Sequence, residues 1–331
     1  MSHRLDGDDE VREVRVPATT VWRSPDSPRD VDEPAVRDRP DMAEWADAMD
    51  AELRLGLHGR TETQLLIGEP VQVLDRHDGW SRIAAPWQAS SQQRAGYPGW
   101  VRTAHLGEPV PARQGASATV VSRQATCHVD GPSDGPSDGP SDGTDTTLSF
   151  GTLLWVAGLG ETTAALHLPD GGVGEVALDD LRLGHKRQQP VYGAGDVLGA
   201  AAQFLGLRYL WGGTSTWGLD CSGLVHLVLR SFGVLLPRDA HDQSTAANVE
   251  PVALDAVEPG DLYFFARPGQ EPYHVGFVTS PVLPDGSRMM LHAPEGGEMV
   301  EDAPLAPHRL ETLVSAGRVR KPSAGRELSP R

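Results

Sequence analysis

One cysteine of this chain has the setting of a nucleophile. Cys221 follows Asp220 and a glycine-rich turn, at the start of an apolar run that repeats at three- and four-residue intervals and stops at Gly233. This spacing predicts an amphipathic helix with Asp220 as its N-cap and Cys221 in the first turn. Because unpaired backbone N–H groups and the helix dipole favour an anion there, we expect the thiol to ionise more easily than a free one. The alternative is a small buried packing residue, the usual role of a lone cysteine.

Two histidines downstream could complete a catalytic group. A cysteine nucleophile needs a base that takes its proton and a third group that orients the base. His274 opens one predicted strand and His292 nearly closes the next. If these strands pair through the turn at 281–288, both imidazoles lie on one face of the sheet, so we predict His274 as the base and His292 as its orienting partner. Two other histidines, His226 and His241, are predicted to be structural.

Charge and composition exclude several classes of function. The 331 residues carry 46 acidic and 29 basic side chains, for a net charge of −17 at neutral pH. Binding to nucleic acid or to an anionic membrane surface requires a basic face, so neither partner is expected. The two cysteines, Cys127 and Cys221, lie far apart, without a disulfide framework or a paired-cysteine zinc motif. No metal or organic cofactor is predicted, and the oligomeric state stays open.

The first residues lack the pattern of a secretory signal. Residues 1–16 mix acidic and basic side chains without an apolar segment, and no apolar run elsewhere is long enough to span a bilayer. A free reactive thiol without a signal is typical of a cytoplasmic protein. We therefore expect a cytoplasmic location, with export by another route as the alternative.

The N-terminal half is predicted to be mostly β-structure. Short alternating runs separated by turn residues are typical of a small β-barrel over residues 1–110. A helix after an Asp41 cap interrupts this pattern at 42–57. Residues 111–188 are predicted to be a second, less regular copy. The Asp-Gly-Pro-Ser tract at 130–143 cannot bury apolar surface, so we expect a mobile loop there rather than a calcium site.

The C-terminal part has a different pattern. Helical periodicity is followed by strand-like runs over residues 189–321, which predicts an α+β domain. The polar tail, 322–331, is predicted to be disordered. The predicted fold is therefore an α+β domain preceded by two small β-barrels.

Six short motifs of the α+β domain point to a family. They are Tyr209-Leu-Trp-Gly-Gly, Leu219-Asp-Cys-Ser-Gly-Leu-Val, Leu236-Pro-Arg-Asp-Ala with Gln243, Pro259-Gly-Asp-Leu-Tyr-Phe-Phe, His274-Val-Gly and Leu291-His-Ala. In this order, over residues 196 to 320, they resemble the NlpC family of papain-like cell-wall cysteine peptidases. The resemblance implies a Cys-His-His triad on Cys221, His274 and His292, and an oxyanion site to which Tyr209 contributes. The interval of 18 residues between the two histidines is longer than usual in the family, and the extra residues fit the predicted turn.

Two stretches of the first barrel extend the resemblance. Thr63-Gln-Leu-Leu-Ile-Gly-Glu and Gly96-Tyr-Pro-Gly-Trp-Val resemble the bacterial SH3-like domains of one branch of this family, the γ-D-glutamyl-L-diamino acid endopeptidases. The resemblance implies that Tyr97, Glu69 and Asp220 hold the free N-terminal amine of the substrate, and that Ser222 also touches substrate. An ammonium removed from water needs several acceptors and negative charge, which agrees with this set. The alternative for Tyr97 and Glu69 is that they are ordinary barrel surface residues.

These observations predict a cytoplasmic cysteine endopeptidase. It would hydrolyse the γ-D-glutamyl-L-diamino acid bond of free muropeptides during peptidoglycan recycling, with peptidoglycan-derived peptides as its partners. The alternatives are a secreted wall-degrading hydrolase, an amidase or acyltransferase with the same triad, and a non-catalytic protein that binds cell-wall peptides. Which diamino acid is preferred stays open.

Overall fold

The structure is a computed structural model that describes residues 10–110, 115–129, 144–169, 171–185, 192–295 and 299–320. The predicted mobile loop at 130–143 and the predicted disordered tail at 322–331 lie outside these residues. No helix within the described ranges is long and apolar enough to cross a bilayer.

The first structural unit is an antiparallel sheet of seven strands. Its strands are β1 (Glu10–Val14), β2 (Ala18–Trp22), β3 (Thr61–Leu66), β4 (Pro70–His77), β5 (Trp80–Ala85), β6 (Tyr97–Arg102) and β7 (Leu106–Gly107). They are ordered β3-β2-β6-β5-β4-β1-β7. Apolar side chains alternate inwards along these strands and form one core, as the period of two predicts.

The edges of the sheet do not join. Leu65 of edge strand β3 and Leu106 of edge strand β7 contribute to the same apolar core. The two strands are not hydrogen-bonded neighbours in the sheet, and β7 is only two residues long, which leaves few backbone groups for a ladder. The prediction of closed barrels is therefore corrected to open, wrapped sheets.

The second unit repeats the first. Its strands are β8 (Ala116–Val120), β9 (Gln124–Val129), β10 (Thr144–Ser149), β11 (Leu153–Leu159), β12 (Thr163–His167), β13 (Val173–Ala177) and β14 (Leu181–His185). Their order is β10-β9-β13-β12-β11-β8-β14, which is the order of the first sheet with seven added to every strand number. Both units also end in a 3-10 turn before the last strand. The predicted second copy is thus present at the level of topology.

The helical insertion in the first unit is divided. The single helix predicted at 42–57 is instead α2 (Met42–Asp47) and α3 (Ala51–Leu55), preceded by α1 (Glu33–Val36). The carboxylate of Asp41 caps α2, as predicted, but the carboxylate of Asp50 accepts the Leu53 N–H at 2.9 Å and starts a second helix. An aspartate at an N-cap competes with continuation of the helix, which explains the break.

The C-terminal unit is a six-stranded antiparallel sheet with helices. Its strands are β17 (Val249–Val252), β18 (Leu262–Ala266), β19 (Pro272–Val278), β20 (Met289–His292), β21 (Glu301–Pro304) and β22 (Leu313–Val319). They are ordered β17-β22-β18-β19-β20-β21. The helices are α4 (Ala194–Ala202), α5 (Cys221–Ser231), α6 (Ala240–Ser244) and α7 (Pro307–Leu310), and a short ladder of β15 (Thr214–Ser215) and β16 (Gly218–Leu219) precedes α5.

Strand β3 of the first sheet forms hydrogen bonds with the C-terminal unit. The Gln64 amide oxygen accepts hydrogen bonds from the Thr214 N–H at 3.1 Å and the Ser215 hydroxyl at 2.8 Å. One apolar core also continues from Trp22 of β2 to Leu224 of α5. These contacts set β3 of the first sheet against the short ladder that leads into α5, the helix that begins with Cys221.

Candidate active site

Helix α5 holds Cys221 in a fixed, buried position. The Asp220 carboxylate accepts the Gly223 N–H at 2.7 Å and caps the helix, as the sequence predicts. Every residue of α5 is buried, and the helix packs against β19. Cys221 itself is 6% exposed, and its thiol is hydrogen-bonded to the backbone of Val275, the residue after His274. The nucleophile candidate and the base candidate are therefore neighbours.

The two histidines lie on one face of the sheet. The β19–β20 register pairs Phe277 with Leu291, which sets His292 opposite Gly276. A side chain at Gly276 would place its Cβ 2.7 Å from the Cβ of His292, so only glycine admits the imidazole there. As a result His274 Nε2 and His292 Nδ1 are 2.9 Å apart. The structure thus pairs the two histidines of the predicted triad and sets Cys221 against the backbone of Val275, the residue after His274.

Glu301 determines which ring nitrogens carry protons. His292 Nε2 lies 3.4 Å from the Glu301 carboxylate, an acceptor that favours a proton on this nitrogen. The neutral His292 ring then accepts through Nδ1 from the N–H of His274 Nε2. This leaves a lone pair on His274 Nδ1, which is buried, has no hydrogen-bond partner among the described residues and lies 4.0 Å from a carboxylate oxygen of Glu295. That nitrogen is the one available to take the thiol proton.

The thiol is protonated in the substrate-free site. Burial raises the pKa of Cys221 to about 12, with the Asp220 and Glu295 carboxylates adding to the effect against backbone hydrogen bonds from Val275 and Ser222. Burial also lowers the pKa of His274 well below its usual value. The expectation that the thiol ionises more easily than a free one is wrong for this site, because desolvation and two carboxylates outweigh the effect of the helix end. Ionisation therefore depends on proton transfer to His274.

Tyr209 lies beside the cysteine. It is 3% exposed, and its backbone oxygen accepts from the buried guanidinium of Arg54 at 3.2 Å. Burial, with the charges of Cys221 and Asp220, raises the pKa of its phenol well above the usual value. The hydroxyl is thus a neutral donor near the thiol, the state needed to stabilise an oxyanion.

A buried ion pair supports the nucleophile from the side of the first sheet. Arg238, 1% exposed, donates to both carboxylate oxygens of Asp220, at 2.6 and 3.0 Å, and to the Ser222 hydroxyl at 2.9 Å. Asp220 also accepts from the Gly212 and Gly223 N–H groups and from Ser222. A carboxylate offers about four lone pairs, so this one is already occupied. The structure places Asp220 and Ser222 at the site, but their polar atoms are committed to Arg238.

A second pair of carboxylates, Glu62 and Asp239, lies near Arg238 on the same wall. The Tyr97 hydroxyl donates to both oxygens of Asp239, at 2.9 and 3.0 Å. Burial raises the pKa of Asp239, and burial together with the charge of Asp239 raises the pKa of Glu62. Arg238 opposes both shifts, and Arg23 also opposes that of Glu62. Two half-buried carboxylates therefore share an excess of negative charge that a substrate cation would neutralise.

Glu69 is not part of this group. It is 2% exposed, and its carboxylate bonds the Arg230 guanidinium at 2.6 Å and the Leu66 N–H at 3.0 Å. Arg230 is nine residues after Cys221 on α5, roughly 13 Å along the helix. The prediction that Glu69 holds the substrate amine is wrong, because its charge is neutralised at the far end of α5.

The Glu69–Arg230 pair gives a stability prediction. Replacing Glu69 with alanine leaves a buried guanidinium without its counter-ion, which is expected to lower the free energy of unfolding by about 3–5 kcal/mol. Glu10→Ala is the matched control, because it removes a partly exposed carboxylate that pairs with Arg12 and Arg76 at the surface, and it is expected to cost under about 1 kcal/mol. Urea denaturation of both variants measures the difference. Equal losses would contradict the structural role of the buried pair.

Four buried histidines give a pH prediction. Burial lowers the pKa of His105 to about 4, those of His226 and His292 to about 3, and that of His274 well below 6.5. Below pH 6.5 these histidines take up protons in the unfolded chain but not in the folded chain. Each therefore lowers the free energy of unfolding by about 1.4 kcal/mol for every pH unit between 6.5 and its pKa in the folded protein. Denaturation between pH 7 and pH 4.5 is expected to show this loss, and His226→Gln should reduce its slope. A stability independent of pH in this window would contradict the burial of these rings.

A cluster of possible metal ligands lies at the edge of the site. Asp239, His241 and Asp242 place one ligand atom each within 4.8 Å of one another. Asp239 already accepts from Tyr97, and Asp242 accepts the Ser91 N–H at 2.8 Å. These hydrogen bonds account for the cluster as a contact between α6 and the first sheet.

Several residues of the site had not been singled out from the sequence. Arg238 and Asp239 lie inside the motif Leu236-Pro-Arg-Asp-Ala, where a charged pair beside apolar residues could have indicated a functional role. Glu62 directly precedes the motif that begins at Thr63. Glu295 and Glu301 follow His292 in chain order, but only the fold brings their carboxylates to the triad.

Comparison with known proteins identifies the family. Residues 206–318 match the model of the NlpC/P60 family, and residues 57–106 match the bacterial dipeptidyl-peptidase SH3 domain. The chain is 30% identical over 285 residues to the γ-D-glutamyl-L-lysine dipeptidyl-peptidase of Bacillus subtilis, an alignment that covers 85% of this chain and 89% of the relative. It is 29% identical over 311 residues to the Bacillus cereus protein of the same name, with 92% and 90% covered. A crystal structure of an NlpC/P60 family protein from Bacillus cereus superposes with a TM-score of 0.86 at 27% identity, covering 94% of this chain and 100% of that one.

The chain belongs to the NlpC/P60 family. It is a peptidase, and the family relates it to peptidoglycan. The resemblance inferred from its motifs is confirmed.

Proposed function

We propose that this peptidase hydrolyses the γ-D-glutamyl-L-diamino acid bond of muropeptides with a free N-terminal alanine. The observation that carries the proposal is the pair of carboxylates, Glu62 and Asp239, beside Tyr97, on the wall that Arg238 connects to Asp220, the residue before Cys221. Binding of the substrate's N-terminal ammonium by these carboxylates fixes the position of that end of the peptide. The separation between the amine site and Cys221 then determines which bond of the peptide is cut. The names of the two Bacillus relatives agree with this activity.

Each member of the triad has a chemical role in the proposal. The Cys221 thiol transfers its proton to His274 Nδ1 while sulfur attacks the γ-carbonyl carbon of D-glutamate, and the Tyr209 hydroxyl donates to the oxyanion. The C–N bond then breaks as His274 returns that proton to the leaving amine. Water, deprotonated by His274, attacks the thioester and releases the dipeptide with its γ-carboxylate, and the thiolate is reprotonated. His292 holds the His274 ring in place throughout.

The amine-binding set is revised by the geometry. Glu62 replaces the predicted Glu69, and Asp239 takes the place of Asp220, whose oxygens are bonded to Arg238 and to backbone N–H groups. Tyr97 stays in the set, because its hydroxyl orients Asp239. Asp220 and Ser222 support the wall on which these groups stand.

Incubation with two substrates tests the proposal. The enzyme is expected to release the diamino acid from free L-Ala-γ-D-Glu-diaminopimelate, but not from intact peptidoglycan, where the alanine amine is amide-linked. Such a preference fits trimming of muropeptides in recycling, and we place this step in the cytoplasm as part of the same proposal. Release from intact peptidoglycan at a similar rate would instead indicate a wall-degrading hydrolase.

A further inference from the structure

A second charged region lies beside the catalytic histidines. A cavity of about 320 Å³ opens next to His292, and its charged lining consists of Arg267, Arg309, Glu295 and Glu301. This volume is at the lower end of the range of ligand sites, about 300–1,000 Å³. The cavity therefore suits a group the size of a single amino acid.

The cavity is on the leaving-group side of the nucleophile. His274 must give its proton to the departing amine, so that amine lies on the imidazole side of Cys221. The charge of Arg309 acts on both His274 and His292, whereas Arg238 acts on Tyr97 and Asp239. Two carboxylates of the cavity lie against the imidazoles: Glu295 is 4.0 Å from His274 Nδ1, and Glu301 is 3.4 Å from His292 Nε2. The amine-binding wall and the cavity thus occupy the two sides of the reacting bond.

The two arginines of the cavity are available to a ligand. The guanidinium of Arg267 lies over the Tyr273 ring at 4.7 Å, and that of Arg309 lies 6.0 Å from the Phe265 ring. In the described part of the chain, which leaves out 296–298 in the adjoining loop, neither side chain has a hydrogen-bonded or ion-paired carboxylate. Both act on Glu295 only at longer range, where they partly offset the burial that raises its pKa. Aromatic contacts orient these cations, and their donors stay free.

We propose that Arg309 and Arg267 bind a free carboxylate of the leaving diamino acid, while Glu295 and Glu301 accept from its side-chain ammonium. The inference rests on the proposed function, since it requires the diamino acid to leave on this side. A planar guanidinium matches a carboxylate with two parallel hydrogen bonds, and a glutamate matches an ammonium. The carboxylate is either the α-carboxylate of a terminal diamino acid or the distal carboxylate of diaminopimelate. The shared chemistry is a zwitterionic residue after the scissile bond.

Four substrates test the proposal. They are L-Ala-γ-D-Glu-L-Lys and L-Ala-γ-D-Glu-diaminopimelate, the C-terminal carboxamide of the first, and the second amidated at its distal carboxylate. Wild type is expected to show a kcat/KM about 10- to 100-fold higher for at least one acid than for its amide. A difference within the lysine pair identifies the α-carboxylate as the ligand. A difference confined to the diaminopimelate pair identifies the distal one.

Variants assign the preference to the arginines. Arg309→Gln or Arg267→Gln is expected to bring the acid-to-amide ratio to within about threefold of unity. Because both substrates of a pair use the same triad, changes in imidazole pKa cancel in this ratio. Arg320→Gln, which removes an exposed arginine paired with Glu250 in the same domain, is the matched control and should keep the wild-type ratio.

Two results would overturn the inference. One is equal kcat/KM for acid and amide in wild type within both pairs. The other is a wild-type ratio that both arginine variants retain. In either case the dipeptide would still be released, and the proposed function would stand. Absence of dipeptide release from all four substrates would instead contradict the proposed function together with this inference.

Discussion

Replacing Cys221 with alanine is expected to lower kcat/KM for the free tripeptide by at least about 10⁴-fold. The variant lacks the sulfur that forms the acyl-enzyme in the proposed reaction. The fold should be retained, because alanine fits the space of a cysteine within the buried first turn of α5. Hydrolysis is followed by release of the diamino acid, and circular dichroism checks the fold.

The second cysteine provides the matched control. Cys127 is fully buried in the core of the second sheet, where burial raises its pKa to about 11. Cys127→Ala removes a thiol of the same size without touching the site, so its kcat/KM should equal that of wild type. Unchanged turnover in Cys221→Ala would contradict the assignment of the nucleophile.

Blocking the substrate amine should have the next largest effect. Acetylation of the alanine removes the positive charge that Glu62 and Asp239 are placed to bind, and it adds bulk against a wall where Tyr97 is 4% exposed. Leaving partly buried carboxylates without a partner is costly, so kcat/KM is expected to fall by roughly 100-fold or more. The measurement is the ratio of kcat/KM for free and acetylated tripeptide.

Three variants test which carboxylates cause the preference for a free over an acetylated amine. Glu62→Gln and Asp239→Asn should reduce the ratio, because each removes one charge from the amine site. Glu69→Gln is the matched control on the same sheet, since its carboxylate is bonded to Arg230, and its ratio should stay at the wild-type value even if the variant is less stable. A ratio that changes in Glu69→Gln but not in Glu62→Gln would contradict the revised assignment. Equal rates for the two substrates in wild type would show that the first sheet does not select for a free amine.

Local patterns predicted the catalytic elements well. The Asp220 cap and the apolar spacing after Cys221 define α5, because both signals act within one helix. The His274 and His292 pair could be predicted because the residues between them form a turn, which lets neighbouring strands align. The duplicated topology of the two N-terminal sheets was likewise indicated by a repeated order of strands and glycine-led turns.

The errors concern long-range electrostatics and packing. Glu69 and Glu62 lie on the same segment of the first sheet. Only the docking of α5 against that sheet pairs Glu69 with Arg230, whereas Glu62 has no hydrogen-bonded cation among the described residues. The thiol pKa depends in the same way on Glu295, which is 74 residues further along the chain. The open edges of the sheets were missed because strand patterns do not show how many residues pair in the last strand.

The most direct test of the central claim is the mass of the products formed in H₂¹⁸O. L-Ala-γ-D-Glu-diaminopimelate is incubated with the wild-type enzyme, and the products are analysed by mass spectrometry. Attack of Cys221 on the γ-carbonyl, followed by water, predicts L-Ala-D-Glu that carries one ¹⁸O and diaminopimelate that carries none. Release of free alanine, or a label in the diamino acid, would place the cut at another bond and contradict the account.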